Sequence, residues 1–219
     1  MEKQPFDRLN NFFSRHKKLS FKKGEIILRM DDEPKGVLYL KKGYTRVYSL
    51  AKNAEELTLL MFKAGDFFPM TWTINSTYYH YYLEAITDVE LYQAPREEFL
   101  RFIKNNNNVL FEITSRVLTR FGALLSRMEH AILGNARSKV SSIILILAER
   151  FGKKGHRGII IQVPLTHQDI ANLIGVARET VSIEIEKLQK KGLINHKGRY
   201  LVIKNQEKLK EESVIESID

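Results

Sequence analysis

The sequence has no cysteine. Disulfide scaffolds, Cys-ligated zinc, iron–sulfur clusters and thiol nucleophiles are excluded with it. No apolar run approaches the roughly 18 residues of a membrane-spanning helix. The opening Met1-Glu2-Lys3-Gln4-Pro5 has no apolar stretch behind its charges, so no signal peptide is expected. The expected setting is cytoplasmic, without a membrane partner. The six histidines, His16, His80, His130, His156, His167 and His196, are never closer than 11 positions. That spacing predicts no metal site, and it argues against a cupin-like metalloenzyme on a small β-roll. A Ser-centred nucleophile elbow and a phosphate-cradling Gly loop are also missing. No catalytic residue is predicted, and no repeat of 20–50 residues is visible.

What is present is positive charge, unevenly placed. The 219 residues hold 35 Lys and Arg against 26 Asp and Glu, a net of +9, with 43% apolar residues for a core. Residues 134–205 alone carry a net of +8, residues 1–133 carry +4, and residues 206–219 carry −3. A basic C-terminal segment appended to a near-neutral one is the footprint of a nucleic-acid-binding domain, or else a well-solvated basic surface.

Residues 6–16 read as an amphipathic helix with Phe6, Leu9, Phe12 and Phe13 on one face. Short β-rich runs follow at Glu25–Leu28, Val37–Leu40, Thr45–Leu50, Leu57–Phe62, Tyr81–Ile86 and Val89–Ala94, separated by turn signals such as Lys42-Gly43 and Gly65-Asp66. They predict a small antiparallel barrel or roll without an internal helix of consequence. Pro95 opens a short helix, and Asn105–Asn108 breaks it.

From Val109 to about Leu133 a long helical pattern runs, with Leu110, Val117, Leu124 and Ala131 at heptad spacing. A helix of about 24 residues is about 36 Å long, more than a small domain covers. A homodimer seam of Leu110, Ile113, Val117, Phe121, Leu124 and Met128 is the preferred reading, and packing against the β-domain is the alternative. Arg120 and Arg127 argue against a tight, long zipper. The expected organisation is a β-roll sensor domain with flanking helices over 1–108, a dimerisation helix over 109–133, a DNA-binding module over 134–205 and an acidic tail over 206–219.

Residues 165–203 carry the strongest signal. Thr166 is placed to cap a helix, with Asp169 in capping-box relation. Ile170, Ala171 and Ile174 give that helix a buried face, and Gly175 supplies a tight turn. A second helix buries Val181, Ile185 and Leu188 and turns Glu179, Ile183 and Glu186 outward. This is a helix-turn-helix, whose second helix enters the major groove of double-stranded DNA by its N-terminal residues. An ordinary core helix pair is the competing reading. Base reading falls to Arg178, Glu179, Ser182 and Ile183: Arg bridges guanine O6 and N7, Glu accepts from cytosine N4, and an apolar side chain meets the thymine methyl. Phosphate contact falls to Thr166, His167 and Thr180, and to Lys197 and Arg199 of a basic hairpin that makes the module winged. A protein-docking role for the same module is a third reading, separable by salt dependence.

With these residues in view, the chain from about residue 20 to 205 resembles the cyclic AMP receptor protein (Crp/Fnr) family of bacterial transcription regulators. Arg178-Glu179-Thr180-Val181-Ser182 matches that family's recognition-helix core, and Lys41-Lys42-Gly43 and Gly65-Asp66-Phe67 match its roll turns. The resemblance implies an α+β fold: an N-terminal cyclic-nucleotide-binding-type antiparallel β-roll, a long dimerisation helix and a C-terminal winged helix-turn-helix. It also implies a homodimer on palindromic DNA and RNA polymerase as a further partner.

The departures are specific. Ile183 stands where the family often has a second Arg, Ala177 where a small capping residue is usual, and Glu184 and Glu186 where phosphates approach. Cyclic-nucleotide binders of the family carry a Gly-Glu pair and an Arg-Ser or Arg-Thr pair; this chain has Pro69-Met70 and Tyr79-His80. A buried phosphate would lack its Arg, so cyclic AMP is not expected. Phe67, Met70, Trp72, Tyr79, His80 and Tyr81 are the candidate effector pocket, either lining it for an apolar or aromatic molecule or filling it. Heme through His80 is disfavoured, the Fe–S sensing of the Fnr branch is excluded, and no cofactor is predicted.

Overall fold

A computed structural model describes residues 5–156 and 158–213, with side chains from residue 7 onward. The side chain of Phe6 and residues 214–219 of the acidic tail lie outside the described residues. The chain divides into two compact units, residues 1–119 and 120–219.

The first unit opens with α1 (Pro5–Phe13). Eight strands follow: β1 (Lys17–Phe21), β2 (Ile26–Leu28), β3 (Val37–Lys42), β4 (Tyr44–Leu50), β5 (Glu56–Lys63), β6 (Phe67–Phe68), β7 (Tyr82–Ala85) and β8 (Val89–Ala94), with α2 (Met70–Asn75) between β6 and β7. They form two four-stranded antiparallel sheets, β1-β8-β3-β6 and β2-β7-β4-β5. α3 (Arg96–Lys104) and the first part of α4 (Asn107–Leu133) complete the unit.

Period-2 alternation on β3 sorts side chains to opposite faces of the first sheet. Leu38 and Leu40 enter the roll and meet Val47, Phe62, Phe68 and Leu83. Val37 and Tyr39 face the other way, into a cluster with Leu9, Phe13, Phe99, Ile103, Val109 and Ile113. Phe99 is the centre of that second cluster, with Phe13 at 5.2 Å and Phe67 at 4.9 Å between ring centroids. Burying one such ring contributes about 1.5–3 kcal/mol. Burial pushes the Tyr39 phenol up to about 12. Gly43 turns β3 into β4 at φ +93°, where a Cβ would strike the Asp88 carbonyl oxygen.

Two expectations are corrected here. Residues 70–75 form a helix inside the stretch expected to hold none of consequence. Its end is held from elsewhere: the Arg96 guanidinium donates to the Thr73 carbonyl at 2.9 Å and to Ser76 Oγ at 2.7 Å. Ile113 does not lie on an open seam. It is 6% exposed inside the roll's own helical cluster.

In the second unit, the end of α4 leads to α5 (Ala136–Phe151), whose Asn135 N-cap accepts from the Ser138 N–H at 3.0 Å. β9 (Gly152–Gly155), β10 (Gly158–Ile161), α6 (His167–Ile174), α7 (Arg178–Lys190), β11 (Ile194–Lys197), β12 (Tyr200–Ile203) and α8 (Gln206–Glu211) follow. The sheet order is β11-β12-β10-β9, and α5 packs on α6, α7 and α8. Lys153-Lys154-Gly155 belongs to an exposed edge strand, with Lys153 paired to Ile160. Its polar side chains keep that edge from pairing further.

On α4, the described side chains keep an apolar row open to solvent. Leu110, Val117, Phe121, Leu124 and Met128 are all exposed. The most exposed row lies one position over, at the same heptad spacing: Phe111 (77%), Leu118, Leu125 and Ile132 (77%). Heptad spacing alone leaves both rows open. Ile113, packed into the Phe99 cluster, turns the Phe111 row outward. No helix among the described residues is long and apolar enough to cross a membrane.

Candidate nucleic-acid interface and sensor roll

α6 begins where its own side chains satisfy its first amides. Thr166 Oγ1 accepts from the Asp169 N–H at 3.1 Å, and the Asp169 carboxylate accepts from the Thr166 N–H at 2.7 Å. The Thr166 hydroxyl is therefore already engaged, though exposed. α6 ends at Gly175, in the left-handed region at φ +66°. There the chain turns into α7, which packs on α6 through Ile170, Leu173, Val181, Ile185 and Leu188. Arg127 of α4 donates to the Leu173 carbonyl at 2.8 Å, and burial holds its guanidinium below the usual Arg range.

Packing one face of α7 leaves the other outward. Arg178, Glu179 and Ile183, the last 53% exposed, stand on it together with Glu186. Among the described residues neither the Arg178 nor the Glu179 side chain has an ion-pair partner. Thr180 and Ser182 are half-buried. The Ser182 hydroxyl donates to the Arg178 carbonyl at 3.0 Å and lies 2.8 Å from His167 Nδ1. Ala177, at the N-cap, makes no side-chain cap bond. Glu184 is a correction: it is buried and turned inward, 2.6 Å from Lys187 and 3.4 Å from Arg137, away from any approaching phosphate. Burial works against its ionised form, but the bonds from Lys187 and Arg137 hold the carboxyl below the usual range. Glu186 is exposed and paired with Lys190 at 2.7 Å.

The wing is the hairpin β11–β12, closed by Gly198 at φ +59°. It exposes Lys197 and Arg199, the latter with its guanidinium 5.4 Å from the Tyr200 ring centre. His196 lies 6.3 Å from His167, ring to ring. That pair, drawn from distant parts of the sequence, is a feature sequence spacing missed.

In the roll, the candidate pocket residues do not converge. Phe67 is buried in the Phe99 cluster, and Met70 and Trp72 pack against the same cluster. Tyr79 is separately buried at 7% exposure, with the exposed Tyr81 6.1 Å away. Burial, with Tyr81 adding to it, pushes the Tyr79 phenol up. His80 is exposed, 3.4 Å from Asp31. Where the family resemblance sets a phosphate-binding Arg, this chain has the buried phenol of Tyr79. The roll also holds a half-buried cation, Arg46 on β4. Its guanidinium is held by Glu84 and Glu56, each at 2.6 Å, and lies over Tyr48, so two carboxylates already take up its fork.

Comparison with known proteins supplies independent context. Residues 18–106 match the family model of the cyclic nucleotide-binding domain, and residues 138–212 match that of the Crp-like helix-turn-helix domain. The chain is 30% identical over 192 residues to the global nitrogen regulator of Nostoc sp., covering 84% of each chain. It is 24% identical over 212 residues to the fumarate and nitrate reduction regulatory protein of Escherichia coli, covering 95% of this chain and 82% of that protein. Among solved structures, a CooA mutant from Carboxydothermus hydrogenoformans superposes with a TM-score of 0.79 at 23% identity, covering 96% of both chains. FixK2 from Bradyrhizobium japonicum follows at 0.78 and 21%, covering 92% of this chain and 98% of its own.

Proposed function

The chain belongs to the Crp/Fnr family of transcription regulators, and from that premise we propose that it acts as a homodimer reading a palindromic DNA site without cyclic AMP. The observation that carries this reading is the outward face of α7, where Arg178, Glu179 and Ile183 stand exposed beyond a capped α6 and the Gly175 turn. Arg178 reads guanine in the major groove, Glu179 the neighbouring cytosine, and Ile183 a thymine methyl. Lys197 and Arg199 of the wing, with Thr180 and His167, contact phosphates. Ser182 takes the lesser share of base reading, because its hydroxyl is already bonded on both sides.

The open apolar rows of α4 support the homodimer. A two-fold axis along that helix sets two recognition helices about 34 Å apart, one turn of DNA. The buried Tyr79 and the doubly paired Arg46 support a roll that takes no cyclic phosphate. The scattered places of Phe67, Met70, Trp72 and Tyr81 support a filled roll over one open to an apolar effector, and the exposed His80 favours no heme. RNA polymerase is the partner through which a DNA-bound dimer would act.

Selection of random duplex DNA by the purified full chain, with nothing added, tests this. Enrichment of a two-fold symmetric motif is the expected result. Enrichment only with cell extract would show that an effector is needed; no motif under either condition would contradict DNA reading.

A further inference from the structure

His167 opens α6, and its ring reaches α7, where Nδ1 lies 2.8 Å from Ser182 Oγ. The Ser182 hydroxyl has one hydrogen, and it is directed to the Arg178 carbonyl at 3.0 Å, the back-bond a Ser makes within a helix. The Oγ therefore meets Nδ1 as an acceptor, and Nδ1 carries the proton. In that tautomer a neutral ring has only a lone pair at Nε2, whereas an imidazolium has an N–H there. No partner for Nε2 is found among the described residues.

The groups around the ring come from three elements. α7 presents Arg178 and Ser182, and β11 presents His196. On α6 itself, Asp169 is turned back to Thr166. Glu179 and Lys197, on α7 and β11, are exposed to solvent. Burial, then His196 and Arg178, lower the ring's pKa from 6.5 in the free protein. An approaching phosphate supplies the anion this environment lacks, and an opposite charge within about 4–6 Å favours the protonated form.

The geometry points to His167 as a proton-linked phosphate clasp, neutral in the free protein and protonated at Nε2 when DNA binds, with that N–H donating to a phosphate oxygen while Nδ1–H stays on Ser182. This rests on the DNA-binding reading above, and deepens it by assigning pH dependence to one contact. The sign follows from linkage. DNA raises the ring's pKa, so binding takes up a proton. Affinity is greatest below the free-protein pKa and falls as pH rises through the bound-state pKa, by at most about tenfold per pH unit for one proton.

The test measures affinity for the selected duplex between about pH 6 and about pH 8 at fixed ionic strength, the range over which a His changes charge. The wild type should lose about tenfold across it. His167→Gln should be nearly flat, near the wild type's value at high pH. His167→Arg, which keeps a donor and a permanent charge, should be flat near the low-pH value. His196→Gln should keep the slope. Calorimetry in buffers of different ionisation enthalpy should show proton uptake by the wild type and its loss in His167→Gln. Equal slopes for wild type and His167→Gln would overturn the clasp while leaving DNA binding intact. If His167→Gln does not fold, a wild-type slope persisting in His167→Arg would overturn it equally. No binding of any duplex by any variant would defeat the DNA reading, and the clasp with it.

Discussion

Arg46, Arg127 and Arg178 carry the same side chain into three different roles. Arg46 is held by two carboxylates on the roll, and Arg127 is half-buried and bonded to the Leu173 carbonyl. Arg178 is exposed on the first turn of α7 with no ion pair among the described residues. Only the last has its planar fork open to a base edge. Arg178→Ala should therefore weaken specific DNA binding by about 1–3 kcal/mol and relax preference at one base pair of each half-site. The variant's affinity for singly substituted duplexes checks this. A uniform loss across all sequences would instead make Arg178 a phosphate contact. Folding stability should be almost unchanged, since surface substitutions of this kind stay within about 0.5 kcal/mol.

At the scale of elements, α6 shows how local chemistry sets the interface. Its eight residues are too few to be stable alone, so the capping box and packing on α5 and α7 hold it. Thr166→Ala removes the cap acceptor and should cost about 1 kcal/mol of stability. Urea unfolding should show a lower midpoint at unchanged slope, and Thr166→Ser should restore it. This cap, the Gly175 turn, the wing and most strands were legible in the sequence because each rests on neighbours within a few residues. What was not legible depends on distant partners. α2 is ended by Arg96 on the next helix. β9 is a strand because its backbone pairs with β10, with no apolar alternation to announce it. Glu184 turns inward because Arg137 of α5 and Lys187 meet it there. Aromatic richness near Tyr79 suggested one pocket, yet Phe67 and Trp72 pack in the Phe99 cluster, which does not include Tyr79.

At the scale of the whole molecule, α4 carries two adjacent heptad rows of exposed apolar side chains, the kind of patch that marks an interaction site. Phe121 and Met128 flank both rows, while Ile113 is the exception, sealed in the cluster around Phe99. That difference separates two kinds of damage. Phe121→Asp places a charge where the proposed seam closes and should leave a folded monomer, with the dimer weakened at least about a hundredfold, or about 3 kcal/mol. Sedimentation should report half the wild-type mass with an unchanged circular dichroism spectrum. Ile113→Asp buries a charge in the helical cluster around Phe99 and should instead cost several kcal/mol of folding stability. On the proposed palindromic reading, in which one monomer reads one half-site, Phe121→Asp should lose the gain from a palindrome over a single half-site while keeping the base preference assigned to Arg178. A Phe121→Asp protein that still sediments as a dimer would move the seam off α4, and the two half-sites would then need a different geometry from the single turn of DNA that this helix implies.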